Sequence, residues 1–310
     1  MKSNEIMLKC FLKIVVILWG VHVSAQQDPM YTQYMFNTLS VNPAYAGSKD
    51  AISLMGLFRT QWVGLEGAPV TQTLSFHMPL FDYNMGLGLS LLNDKIGATN
   101  QTQMFGDYSY RIYLGDNSKL QLGLKAGISF FRSTLTPLKN RVPGDPSVFD
   151  YKGKILFNVG VGVFYFNDKG YLGVSMPKLL KNYVRGQNEI EIGEVRRHLF
   201  LIGGYVFDIS EGTKFKPSFM LRMVSGAPVS VDLSAMFYFY DKLGLGLAMR
   251  REDSFSGLIN YYFDRSLFLG YAYDFTRTEL RNFSSGTHEI VLGYDFQLLS
   301  RRRVYSPRFF

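Results

Sequence analysis

From about Ala51 onward the chain alternates apolar residues with polar or small ones, the period-two pattern of a β-strand with two unlike faces. Leu120, Leu122, Leu124, Ala126, Ile128 and Phe130 share one parity; Gln121, Gly123, Lys125, Gly127, Ser129 and Phe131 share the other. Met85, Leu87, Leu89 and Leu91 alternate in the same way with Gly86, Gly88 and Ser90. Helical spacing does not compete over any long stretch. About 14 such segments follow one another, beginning near residues 51, 69, 84, 101, 118, 154, 171, 197, 214, 228, 242, 255, 266 and 287. Most reach about 10 residues, beyond the ~5–6 usual for globular strands and close to the ~9–11 of a tilted membrane-crossing strand.

The connections separate a barrel from a soluble sandwich. Every other link is a tight turn, as at Phe81–Asn84, Gly115–Ser118, Asn167–Gly170, Tyr240–Lys242 and Phe263–Ser266. The intervening links are mostly longer, among them Gln61–Pro69, Ser133–Gly153, Pro177–Arg197 and Thr276–Gly286. Short turns on one rim and long loops on the other are the habit of an outer-membrane barrel, with an even strand number and both termini periplasmic. The expected fold is therefore an all-β, transmembrane antiparallel barrel of about 14 strands. Paired aromatics near strand ends, such as Tyr110/Tyr113, Tyr165/Phe166, Tyr238/Tyr240, Tyr261/Tyr262 and Tyr271/Tyr273, suit girdles at the two membrane boundaries.

The N-terminus points to an exported protein. Lys2, Lys9 and Lys13 precede an apolar run from Ile14 to Val23, and Val23-Ser24-Ala25 is a small-x-small cleavage site. This divides the chain into a cleaved signal peptide (1–25), an N-terminal periplasmic or plug segment (26–50), the barrel (51–299) and a basic tail (300–310). The single cysteine, Cys10, falls within the first part, so the exported chain has no disulfides to rely on.

Composition sharpens this picture. Charged residues make up 19%, hydrophobic residues 47% and aromatics 15%, which excludes a disordered chain. The net charge of +8 is spread over the strands, apart from Arg301-Arg302-Arg303, and does not suggest a nucleic-acid partner. One parity carries Arg59, Asp107, Arg111, Lys125, Lys216, Arg222, Asp232, Arg250, Asp274, Glu289 and Asp295. These must face the lumen, solvated or paired, because the other face must be apolar for lipid. Glycines at 86, 88, 123, 127, 160, 162, 244, 246 and 270, with Ala248 and Ala272, share that inward parity. They imply either strong curvature or a backbone packed against the wall. The best occupant is 26–47: it lacks alternation and is rich in Tyr, Met, Asn and Pro. Tyr31, Tyr34, Phe36 and Tyr45 are its candidate lumen-filling side chains. By the same parity, Leu122→Arg or Val161→Arg should harm the barrel and Gln121→Arg should be tolerated.

Catalytic patterns are sparse: no HExxH, no CxxC and no glycine-rich phosphate loop after a parallel strand. His77 lies on the polar parity with Thr71, Thr73 and Ser75, but no oxyanion hole accompanies it, so a lipase reading is weak. No cofactor or metal site is expected.

The motif Gln27-Asp28-Pro29-Met30-Tyr31-Thr32-Gln33-Tyr34-Met35-Phe36-Asn37, followed by Asn42-Pro43-Ala44-Tyr45-Ala46-Gly47, resembles the start of the PorP/SprF family, outer-membrane proteins associated with type IX secretion in Bacteroidetes. Phe58-Arg59-Thr60-Gln61-Trp62, Gly64–Pro69, Gly86–Gly97, Lys216-Pro217-Ser218 and Ser306–Phe310 extend the resemblance over nearly the whole exported chain. It implies a non-enzymatic barrel that assists secretion or surface attachment of a large adhesin, through the adhesin's C-terminal domain, in contact with the periplasmic secretion and gliding machinery and with outer-membrane lipid. Lys178, Lys181, Arg185, Glu189, Glu191 and Glu194, in a long loop, are the candidate partner-binding residues. Alternation alone equally permits a porin or fatty-acid-channel-type transporter.

Overall fold

The computed structural model describes residues 29–49, 51–80, 84–134, 151–185 and 191–296. The expected signal peptide and the basic tail lie outside these residues. Fourteen strands close into an antiparallel barrel. In chain order they are β1 (Ile52–Thr60), β2 (Val70–Leu80), β3 (Met85–Ile96), β4 (Thr99–Tyr113), β5 (Lys119–Ser133), β6 (Tyr151–Phe166) and β7 (Gly170–Met176), then β10 (His198–Tyr205), β12 (Thr213–Val224), β13 (Ser230–Phe239), β14 (Leu243–Arg250), β15 (Ser254–Tyr262), β16 (Leu267–Thr276) and β17 (Thr287–Phe296). Between β7 and β10 a separate two-stranded ribbon, β8 (Asn182–Arg185) and β9 (Glu191–Val195), stands in the loop. The short β11 (Phe207–Ser210) continues β10 along β12 in one register, with Gly204 opposite Ser218 and Phe207 opposite Phe215.

Closure occurs at two seams. β1 pairs with β17 from Ile52↔Phe296 to Thr60↔His288, and β10 pairs with β12 from His198↔Val224 to Gly204↔Ser218. The sheet thereby closes on itself, which is the condition for a sheet to span a membrane; on the long-loop side β6 runs on past β7, their pairing ending at Val161↔Met176. The alternation read from the sequence becomes the two faces. Leu122, Leu124, Val161, Leu233 and Ile259 are exposed outward, while Gln121, Lys125, Asn260 and Glu289 are buried inward. Links on the long-loop rim are uneven: β3 and β4 are joined by Gly97-Ala98 alone, and β14 and β15 by Arg251–Asp253. Two of the longer loops on this rim are tied together, Val63 N–H donating to Gly286 O and Ser285 N–H to Val63 O.

Some of the aromatic pairs divide, because immediate neighbours in a strand, such as Tyr261 and Tyr262, point to opposite faces. Tyr110, Tyr113, Tyr240 and Tyr261 are exposed near the short-turn rim, as a girdle requires. Phe166, Tyr238 and Tyr262 turn inward and are buried. The sequence expectation that both members of each pair serve the membrane boundary is therefore corrected for these three, which build the interior instead.

Candidate functional site

The notable region is the barrel interior, occupied by the segment 31–48. All its residues are buried except Phe36 and Ser40, which are half-buried. The segment begins near the long-loop end, passes through one short helical turn, α1 (Thr38–Val41), and a 3₁₀ turn at Pro43–Tyr45, and leaves at the short-turn end to enter β1. Asn42 sets the second turn: its Oδ1 accepts from Ala44 N–H at 3.0 Å while its Nδ2 donates to Val163 O on the wall at 3.0 Å.

Toward the short-turn end the contacts are close and largely steric. A Cβ on Gly123 would overlap the backbone of Ala44, and one on Gly86 would overlap the carbonyl of Ala46. Only glycine lets two backbones approach this nearly. Gly88, Gly162 and Gly270 similarly face Leu39, Asn42 and Gln33, whereas Gly127 is crowded by Phe105 and Gly244 by Tyr238. Inward glycines thus provide the seat for a packed backbone that the sequence allows, and some of them, which the sequence did not indicate, make room for neighbouring side chains. Aromatic packing completes this half: Tyr45 meets the rings of His77 and Phe164 edge-on, and Phe36 lies 5.3 Å from Phe268. Main-chain ends are also caught. Gly47 N–H donates to His77 Nδ1 at 3.2 Å, Gly47 O accepts from Arg111, and Ala46 O accepts from Ser109 and Gln121.

Toward the long-loop end the contacts are ionic. Arg59 Nη1 lies 2.8 Å from Asp274 and 2.9 Å from Glu289, all three side chains being buried. Glu289 accepts from the N–H groups of Thr32 (2.9 Å) and Gln33 (2.7 Å), one carboxylate oxygen to each. The Thr32 hydroxyl donates to Asp274 and accepts from Arg59. Arg250, paired with Asp232, donates to Tyr31 O at 3.1 Å, and the Tyr31 hydroxyl meets Thr73 Oγ1 at 2.8 Å. Buried charges of this kind persist only when paired and hydrogen-bonded. A further pair, Lys125–Asp107 at 2.8 Å, sits at mid-height, with Lys125 also donating to Leu39 O at 3.4 Å.

Of the residues singled out in the sequence, Tyr31, Tyr34 and Tyr45 are buried inside the barrel and Phe36 is half-buried there. The loop residues do not share one surface. Lys178 is buried, lining a cavity, and is not displayed on the rim; Lys181 is exposed. Arg185, Glu191 and Glu194 belong to the β8–β9 ribbon, and Glu189 lies outside the described residues. The parity of Gln121 was legible but its environment was not. It is fully buried beneath the segment and donates to Ala46 O and Ser109 Oγ, so Gln121→Arg would have to displace a packed side chain, which parity alone does not take into account. Thr32 and Asn42 tie the segment to the wall, and His77 receives Gly47 N–H from it, in ways the sequence did not indicate. The Arg59–Glu289 contact was recoverable in principle, since the two residues sit directly opposite across the β1–β17 seam.

Comparisons with known proteins agree with this architecture. The family model for the type IX secretion system membrane protein PorP/SprF matches residues 23–294. No curated protein matches the chain. Among solved structures, the CymD monoaromatic hydrocarbon channel superposes with a TM-score of 0.54 at 13% identity, covering 90% of this chain and 96% of that one. The toluene transporter TbuX of Ralstonia pickettii gives 0.51 at 9% identity, over 89% and 96%. At such identities the likeness extends to the fold: a membrane barrel of the outer-membrane kind.

Proposed function

The chain belongs to the PorP/SprF family of type IX secretion system membrane proteins, and we propose that it acts there as a closed, non-enzymatic outer-membrane barrel that helps export a secreted adhesin-like partner and hold it at the cell surface. The observation that carries this reading is the filled interior. A segment buried almost along its whole length, fixed by charge above and by backbone contact below, suits a scaffold better than a conduit. Docking is assigned to the rim, on the β8–β9 ribbon and the exposed Lys181, where charges set orientation and encounter rate more than affinity. Lys178 is left out of that surface because it is buried.

The test replaces 182–195 with a short turn, sparing Lys178. The partner is expected in the culture medium while the barrel stays in the outer-membrane fraction. Retention of the partner at wild-type levels refutes rim docking. A second reading, passage of small apolar molecules, is favoured by the shared fold with CymD and TbuX, a hydrocarbon channel and a toluene transporter. Planar-bilayer recordings of the purified protein separate the two: a closed scaffold stays near baseline, and steady discrete openings would support transport.

A further inference from the structure

On the outer face of the barrel, near the long-loop rim, the ladder register sets three polar side chains in one row across β3, β4 and β5. Lys95 lies opposite Asn100, and Asn100 lies opposite Arg132. All three share the outward parity of Leu91, Met104 and Phe130 on their own strands. With neighbouring strands about 4.8 Å apart, the backbones of Lys95 and Arg132 are about 10 Å from each other, so both long side chains reach one small group held over Asn100. Elsewhere on this rim exposed cations are engaged: Arg251 pairs with Glu252 at 3.1 Å, and Arg277 lies over the Phe255 ring at 4.7 Å. Lys95 and Arg132 are exposed and have no ion pair among the described residues. The neighbouring carboxylate of Asp94 turns inward, where it accepts from the Thr71 hydroxyl.

The row next to it fixes the middle member. Asn93 Nδ2 donates to Asn100 Oδ1 and to Thr102 Oγ1, both at 2.8 Å. With its acceptor held in this way, Asn100 keeps its own Nδ2 as a donor between the two cations. Phe130 lies opposite Thr102, and Leu91 and Met104 begin the apolar band beyond them. Height places the row. Tyr110, in the girdle at the short-turn end, is ten residues from Asn100 along β4. At a rise of about 3.3 Å and a tilt of about 40° that distance is about 25 Å, the height of the lipid-facing band of such barrels. The row therefore stands where hydrocarbon gives way to headgroups, on the rim that outer-membrane barrels turn to the outside.

We propose that Lys95, Asn100 and Arg132 bind the phosphate headgroup of an anionic lipid in the extracellular leaflet, whose acyl chains lie along Leu91, Met104 and Phe130. Two cations and an oriented amide offer donors to a group that accepts hydrogen bonds and carries negative charge. Position selects a lipid over a soluble anion, because the row borders apolar surface and stands at headgroup height. The site lies outside the wall and holds whether the interior is a scaffold or a conduit.

The experiment uses the full-length protein in detergent and native mass spectrometry. The probes are monophosphoryl lipid A and its dephosphorylated form, which share their acyl chains and differ in the phosphate. The phosphorylated lipid is expected to bind the wild type more tightly. Lys95→Gln and Arg132→Gln should each weaken it about fivefold, the effect of one Lys or Arg near an anionic surface, and leave the dephosphorylated lipid unchanged. The double variant should bind the two lipids alike. Arg251→Gln removes the same charge from the rim at a paired position and should alter neither. Heat-modifiable gel mobility reports the closed barrel in every variant. Equal affinity of the wild type for both lipids, a preference kept in the double variant, or a loss in Arg251→Gln equal to that in Lys95→Gln overturns the proposal. Displacement of the lipid by inorganic phosphate at matching concentration overturns it too, by making the ligand a free anion.

Discussion

At its short-turn end the barrel holds the inner segment by shape, the backbone of Ala44 and Ala46 resting against Gly123 and Gly86. At its long-loop end it holds the same segment by charge, with Glu289, Asp274, Arg59 and Arg250 gripping Tyr31 to Gln33. The two arrangements fail differently. A steric seat loses its occupant only when something larger is put into the wall, and removing atoms from it costs little. An ionic cage is the reverse. Taking away one member strands its partners as unpaired buried charges, while replacing the whole set by neutral groups of similar size can be almost free. The segment is thus pinned below by close approach and above by a network whose stability depends on completeness.

The largest effect should follow from breaking the cage. Arg59→Met leaves Asp274 and Glu289 buried without their cation and should cost about 3–5 kcal/mol, read as a fall in urea stability of the barrel in lipid vesicles. Replacing all three, as Arg59→Met with Asp274→Asn and Glu289→Gln, should recover most of that loss. A single variant that unfolds like wild type would mean the cage contributes nothing, and the contrast between the two ends would collapse.

Next in size is a comparison across the wall. Leu122→Arg places a charge on the lipid face, at about 2–4 kcal/mol near the midplane. Its neighbour Gln121→Arg must displace the contact to Ala46 O, and is expected to disturb the segment while leaving insertion intact. Membrane fractionation of assembled barrel, together with bilayer recordings, distinguishes these outcomes: loss of insertion in the first, raised conductance in the second. Silent recordings from inserted Gln121→Arg would show that the seat tolerates bulk.

Gly123→Val tests the steric end directly. Its Cβ would overlap Ala44, and overpacking of this kind costs about 1–3 kcal/mol. Because the strain falls on the segment and not on the ladder, conductance should rise with little change in the urea midpoint. A lowered midpoint without added conductance would place the strain in the wall.

The sequence disclosed the strands better than the contents of the lumen. Period-two alternation located all the wall strands, since membrane and lumen impose opposite polarities on successive residues. It also sorted Arg59, Asp274 and Glu289 to one face. Parity says nothing, however, about what lies across the lumen. Gln121 and Gly123 read alike as inward, yet one is a hydrogen-bond donor to the segment and the other its seat. The aromatic pairs went astray for a related reason. Tyr238 and Tyr262 end strands as girdle residues do, but their own parity sends them inward, where Tyr262 meets Phe268 and Phe268 in turn meets Phe36. The loop charges were grouped by sequence proximity, and Lys178 left that group because the chain dips into the barrel mouth after β7. Contacts between segments far apart in the chain have no local signature.

The smallest effect is the most discriminating for the cage. Thr32 joins the segment to the wall charges through its hydroxyl, accepting from Arg59 at 3.0 Å and donating to Asp274 at 2.8 Å. Thr32→Val keeps shape and volume and removes only those bonds. Arg59 still meets both carboxylates, and Glu289 still accepts from the N–H groups of residues 32 and 33. The loss should therefore be about 1–2 kcal/mol, the scale of hydrogen bonds to charged groups, well below that of Arg59→Met. Ser40→Ala is the control, because its half-buried hydroxyl donates only to Asn37 O within the segment and its removal should move the midpoint little. If Thr32→Val matches the control while Arg59→Met keeps its full cost, the Thr32 hydroxyl adds nothing, and the segment is held at that end by its two backbone donors on Glu289 and by the contacts of Tyr31 with Arg250 and Thr73.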